Sequence, residues 1–509
     1  MRRPARLGFV INGPAVRNDI LVPRYYDPSI PERLRTLKST HELVSVGELL
    51  ESREIAMTQG NYIGKMTYGT GTIPYIRTSD ISNWELRGSP KHGVSVEIYD
   101  RFAATQDVRA GDILLVHEGT YLIGTLSLLT RFDTGILYQH HLAKIRVLND
   151  HRITPALLAA LLLTPIVQRQ IRTKQLTADT IDSIVGRFPE VVLPIPTNTQ
   201  FRKKIAQKAQ EAFYGRAVAR ARLAATISTL DTVLQTGRTD RLRDLMNDEP
   251  TADDTFVSLL GERSSFSAFS IHSGRLLNDV MIPRYYDPTI DQVFTKLKDN
   301  CELRTLGALV YDGLIVMDTG HEIGKLAYGT GTIPFVRTSD LGNWELKHDP
   351  KHRMSRGIYD EYAEKQPVIP EDILLVRDGT YLVGTSAMVH KEDLPLLYCG
   401  GIYRIPSIDK GALDPYLLFA LLNTQIVRRQ IQNKRFTRDV IDTLGSRLQE
   451  VVIPIPRNGV LAKECAATFR QILRTRIEVR SSIEQLGGIL EGCDDRVQIS
   501  NSAAVKEHN

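Results

Sequence analysis

The sequence predicts an α+β protein: two copies of one mixed α/β domain, separated and followed by long helices packed as an antiparallel coiled coil about a pseudo-twofold axis. Three observations predict it. The first is a repeat. Pro23-Arg24-Tyr25-Tyr26-Asp27-Pro28 returns 260 residues later as Pro283 to Pro288, and the same offset carries Tyr68 to Pro74 onto Tyr328 to Pro334. It also carries Asn83-Trp84-Glu85-Leu86 onto Asn343 to Leu346, and Pro194-Ile195-Pro196 onto Pro454-Ile455-Pro456, with no gap between Phe9/Phe269 and Pro196/Pro456. A unit this long exceeds any solenoid repeat, so each copy should hold its own core. The second is a change of period inside each copy, from short glycine-broken apolar runs to three- and four-residue spacing. The third is a long helical stripe after each Pro-Ile-Pro.

Taken in order, Val108 to Val116 and Thr120 to Leu129 read as strands joined by tight turns at Gly111, Gly119 and Gly124. From Pro155 the apolar residues Leu157, Leu158, Leu161, Leu162, Ile166, Val167 and Ile171 follow helical spacing, and Asp414-Pro415 opens the matching helix. Val191 to Pro196 closes the domain as a proline-stopped strand. Phe201, Ile205, Ala209, Ala212, Ala219, Leu223, Ile227, Leu230 and Leu234 then form a stripe with one step across Arg216; Leu461, Cys465, Phe469, Ile472, Ile483, Leu486 and Leu490 form the second. The expected boundaries are 1–197, 198–235 (helix), 236–268 (polar linker and entry to the second copy), 269–457, 458–492 (helix) and a disordered tail, 493–509. A helix from Asn198 to Leu234 would be roughly 55 Å long, the length of about 16 base pairs, with Gly215 marking a bend or a close contact.

Composition bounds the function. The chain has 509 residues, a net charge of +5 and 42% hydrophobic residues. It lacks the apolar run of about eighteen residues that spans a bilayer, so a soluble cytoplasmic protein is expected. Cys301, Cys399, Cys465 and Cys493 are scattered, which speaks against a zinc site. Gly60-x-x-x-Gly64-Lys65 is one residue short of a phosphate loop and is followed by Met66 where a magnesium-holding hydroxyl belongs. Asp414-Pro415-Tyr416 lacks the second proline of an adenine methyltransferase loop. The Asp112/Glu118 and Asp372/Asp378 pairs lack the lysine of a nuclease. No enzyme, metal or cofactor is expected.

The ordered set Gly71-Thr72-Ile73-Pro74-Tyr75-Ile76-Arg77-Thr78-Ser79-Asp80-Ile81, then Gly111 to Val116 with Glu118-Gly119-Thr120, then Val192 to Pro196 entering a helix, resembles the target-recognition domains of Type I restriction-modification specificity (HsdS-like) subunits. It occurs twice. The resemblance implies that each copy reads one half of a bipartite double-stranded DNA site, and that the helices act as a ruler and dock adenine methyltransferase subunits, to which restriction and translocase subunits add. The segment Phe9 to Pro28 departs from that pattern and looks more like the junction before recognition domains in fused adenine methyltransferases. A stand-alone DNA-binding regulator or scaffold, or less favourably a metal-dependent nuclease, are the other readings.

Residues shared by the copies suit phosphate contact or the frame, and polar residues that differ suit base reading. Candidate DNA-binding residues are therefore Lys65, Tyr68, Thr70 and Arg77 with Lys325, Tyr328, Thr330 and Arg337; His117, Gln139 and His140, which differ from Arg377, Cys399 and Gly400; and Tyr121 with Tyr381. Arg172, Lys174, Lys434 and Arg435 place charge at a helix end. Arg377 suits guanine and Gln139 adenine by bidentate hydrogen bonds. Trp84 and Trp344 read as core or groove wall.

Overall fold

A computed structural model of the chain describes residues 16, 20–177, 181–251, 268–276, 280–437 and 441–492. In the first repeat the glycine-broken runs form an antiparallel four-stranded sheet in the order Ile55–Gln59, Leu142–Val147, Ile113–Val116, Leu126–Leu128. Its counterpart runs Asp318–Thr319, Ile402–Ile405, Ile373–Val376, Ser386–Met388. A smaller sheet joins Ile73–Ile76 to Leu137–Tyr138 in parallel and to His92–Val94 in antiparallel register. His41–Ser45 pairs with the closing strand Val192–Pro196, and Cys301–Thr305 with Val452–Pro456.

The helix Pro155–Leu162 is apolar on every side and is buried from Ala156 to Leu162, with Thr154 capping its N-terminus. Asp414 caps its counterpart, Pro415–Leu422. The first long helix spans Thr199–Thr236, with Asn198 as N-cap and Gly237 in the left-handed region as its stop. The second spans Gly459–Gly492.

These helices run antiparallel. Ile205, Ala209, Ala212 and Phe213 share the core of the first repeat with Ile483, Leu486 and Leu490. Leu223, Ile227, Leu230 and Leu234 share that of the second repeat with Leu461, Cys465 and Phe469. Each long helix thus lends one half to each repeat. The helices pack antiparallel as expected and are also part of both cores, because their apolar stripes continue along their whole length and must be covered. Gly215 marks a close contact: a Cβ there would lie 3.3 Å from Val479 Cγ1, and the helix continues unbroken through it. The linker expected to be merely polar begins with an amphipathic helix, Asp240–Asn247, that buries Leu242. The tail 493–509 lies outside the described residues.

Candidate nucleic-acid interface

Asn83-Trp84 and Asn343-Trp344 are the turns of short hairpins, all four residues with positive φ (49°, 62°, 50° and 65°). Asparagine tolerates this conformation and tryptophan does not, so the surroundings must hold it. They do: the two hairpins meet at the pseudo-twofold axis and exchange equivalent bonds. Asn83 Nδ2 donates to the Leu346 carbonyl (2.9 Å) and Asn343 Nδ2 to the Leu86 carbonyl (2.8 Å). Trp84 is buried, packed on His348 at 4.2 Å, and Trp344 donates to Asn423 (3.1 Å), so both tryptophans are structural as expected.

Beneath the hairpins the long helices cross, and four buried ionised groups come together. Arg216 bonds Glu85 (3.1 Å) and Glu345 (2.7 Å); Arg476 pairs with Glu85 (2.6 Å) and Glu345 (2.9 Å). None of the four is more than 4% exposed. On either side Arg220 meets Asp133 (2.5 Å) and Arg480 meets Asp393 (2.8 Å). Burial alone would raise the Glu345 carboxyl, but Arg216, Arg476 and Arg480 outweigh it and hold it far below the usual range. The cluster is absent from the sequence reading, although the 260-residue offset continues into the long helices and pairs Arg216 with Arg476 and Arg220 with Arg480.

The axis brings several of the candidate residues to one seam. Lys347 and Lys351 of the second repeat lie over the ring of Tyr121 (5.3 and 4.8 Å), and Lys91 of the first lies over Tyr381 (4.9 Å). Arg172 donates to the Tyr121 carbonyl (2.7 Å). Arg87 crosses the seam to the Ser339 and Leu341 carbonyls, both at 3.1 Å.

Away from the seam, Lys65, Tyr68 and Arg77 sit together. Tyr68 stacks on His92 (4.5 Å), which lies 3.1 Å from Arg77 Nη1, and burial followed by Arg77 and Lys91 holds His92 down to about 4. Tyr328 packs on His352 in the same way (4.2 Å). Lys65, Lys325 and Arg337 are exposed and make no ion pair among the described residues. Gly60 is required by packing, since a Cβ would fall 2.4 Å from the Tyr138 carbonyl oxygen. That approach lays Tyr62 against His140, with ring centroids 5.6 Å apart.

Other candidates are engaged by partners within the fold. Thr70 and Thr330 hydroxyls receive the Ser95 and Ser355 amides (3.1 and 3.0 Å) and donate to carbonyls of their own turns, so they pin the loop. His117 is 2% exposed, between the His140 carbonyl (2.9 Å) and Ser183 Oγ (3.2 Å); Gln139 is 6% exposed at the end of a sheet. Both are corrections: strand pairing buries what the differing sequence suggested was surface. Arg377 closes its fork on Asp378 (2.8 Å to each oxygen), so the donors proposed for guanine are engaged. Lys174 and Lys434 each bond a glutamate, Glu190 and Glu450, at 2.6 Å and cover Tyr25 and Tyr285. Arg435 is buried and bonds Gln432 (2.8 Å). The helix-end charge thus clamps the Pro-Arg-Tyr-Tyr-Asp-Pro segment, a role no local pattern signals.

Among the described residues no group of three His, Cys, Asp or Glu side chains is placed to hold a metal, and no helix is long and apolar enough to cross a membrane. No protein-family model and no curated protein matches the chain. Among solved structures it is similar to the Type-I restriction-modification system S subunit from M. genitalium, at 12% identity over 89% of this chain and 94% of that one, TM-score 0.31. It is also similar to the HsdS subunit from Thermoanaerobacter tengcongensis (15%, 89% and 95%, TM-score 0.26). A third is a chain from a structure on complex assembly and conformational transition of the type I R-M system (15%, 89% and 97%, TM-score 0.26). Those superpositions are too loose to carry a residue-by-residue correspondence.

Proposed function

We propose that the chain is the non-catalytic DNA-recognition subunit of a Type I or related restriction-modification assembly, acting in the cytoplasm. Residues 1–197 and 269–457 each read one half of a bipartite duplex site, and the exposed faces of the long helices dock adenine methyltransferase subunits. The observation that carries this reading is the fixed pseudo-twofold placement of two equivalent, unpaired basic surfaces, around Lys65 and Arg77 and around Lys325 and Arg337. A duplex with two half-sites demands that arrangement, and lysine and arginine left without carboxylate partners suit its phosphates. The buried cluster of Arg216, Arg476, Glu85 and Glu345 keeps the surfaces from drifting apart.

Co-expression with the adenine methyltransferase encoded beside the chain, followed by mapping of methylated adenines, tests it. The expected result is a bipartite motif in which one half changes when Tyr62 and His140 are replaced by their second-copy counterparts, Glu and Gly. Absence of both complex and methylation overturns it, and sequence-specific binding by the chain alone would then favour a stand-alone regulator.

A further inference from the structure

Beside the second long helix, between the repeats, lies a cleft of about 570 Å³ lined by Trp84, Tyr121 and Arg172 of the first repeat and Lys347, His348 and Lys351 of the second. Its charge is not balanced. Two carboxylates share it, but Asp349 is held by Arg353 (3.1 Å) and Glu484 lies by Arg480 (3.7 Å). Arg169, also on the wall, is paired with Asp27 (2.8 Å). Arg172, Lys347 and Lys351 have no carboxylate within ion-pair distance among the described residues, and all three gather on Tyr121. Burial pushes the Arg172 guanidinium and the Lys347 ammonium down; Asp349 opposes this at both, Asp340 also opposes it at Lys347, and Arg172 adds a smaller push down on Lys347. Like charges drawn together and partly desolvated are costly unless an anion joins them.

The pseudo-equivalent place on the other side of the axis is filled differently: Lys91 stands for Lys351 and lies over Tyr381 at 4.9 Å, and Arg428 stands for Gln168 and donates to the Gly384 carbonyl (2.8 Å). Gln432 stands for Arg172, and Gly88 for His348. Arg87, standing for Lys347, is spent on the Ser79, Ser339 and Leu341 carbonyls at 3.0 to 3.1 Å.

We propose that this cleft is a phosphate-binding site that staples the seam, one phosphate group bridging Arg172 of one repeat to Lys347 and Lys351 of the other. The phosphate chemistry stands on the cleft itself; only a DNA backbone as its source rests on the function proposed above, the other source being a free nucleotide.

The test is calorimetric titration of the full chain with inorganic diphosphate at low ionic strength. One site per chain is expected, weakened at least tenfold in both R172Q, which installs the residue found at Gln432, and K351Q, and unchanged in K38Q, at an exposed lysine outside the cleft. No binding, or binding that R172Q and K351Q leave intact, overturns the site. A short duplex that displaces diphosphate assigns the cleft to DNA, and one that binds alongside it assigns the cleft to a free nucleotide. Diphosphate binding by a chain that gives no complex and no methylated motif in the co-expression experiment keeps the site while overturning the DNA-reading function.

Discussion

Replacing Glu345 by glutamine removes one of two negative charges facing Arg216 and Arg476, which are 1% and 0% exposed. Glu345 accepts from Arg216 at 2.7 Å and lies 2.9 Å from Arg476 Nε, and Asn83 donates to it at 3.3 Å. Water cannot take its place, so the arginines retain only Glu85 between them. Breaking a buried pair by deleting one partner costs about 3–5 kcal/mol, on the order of 10 °C in the midpoint of a unit this size. Thermal unfolding of E345Q beside the parent measures it. E85Q should cost about the same, and the double variant should depart from the sum, because both carboxylates face the same two arginines. A loss under about 1 kcal/mol in E345Q would refute the reasoning, since it would mean the cluster is solvated or the arginines swing out. The sign with pH follows from the depressed carboxyl. Glu345 contributes stability above its unfolded value of 4.5, and that contribution erodes as pH falls through the lower folded value. E345Q should therefore flatten the acid limb of the stability profile.

Three further outcomes follow from the placements above. K174A should lower the thermal midpoint by a few degrees and leave duplex affinity unchanged, because Lys174 bonds Glu190 beneath Tyr25; a selective loss of DNA binding would contradict this. R337A should weaken all duplexes alike and reduce the slope of log affinity against log salt by about 1, measured by fluorescence anisotropy; an unchanged slope would remove Arg337 from the interface. His92 should titrate near 4 by NMR; its stabilising share is present above its unfolded value of 6.5 and is lost as pH falls through 4.

The repeat, the strand-to-helix change and both long helices were legible because each is a local period. Thr154, Asp414 and Asn198 cap where the sequence places helix starts, for the same reason. What could not be read is pairing at a distance. Arg216 interrupts an apolar stripe and looks like an exception, yet its partners Glu85 and Glu345 lie 131 and 129 residues away in sequence. His117 and Gln139 differ between the copies, which in the sequence alone points to a surface; the sheet buries them because His117 can bond the His140 carbonyl and Gln139 can fill its place beside Arg77. Lys174 and Lys434 look like a solvated helix end until the glutamates sixteen residues later, Glu190 and Glu450, fold back onto them. Of the candidate residues, Lys65, Lys325 and Arg337 are exposed.

The crossing point has an evolutionary consequence. Asn83/Asn343, Glu85/Glu345, Asp133/Asp393, Arg216/Arg476 and Arg220/Arg480 are identical pairs, and each member bonds across or around the axis as its twin does. That is the self-complementary contact of a homodimer, drawn into one polypeptide by gene duplication. In a true homodimer a change at any position is copied to both halves, so the two halves can never differ. Fusion removes that tie: Tyr62 and Glu322, or His140 and Gly400, differ while the contact between the halves is identical in both copies. The duplicated chain can thus acquire new sequences one half at a time, without renegotiating how the halves meet.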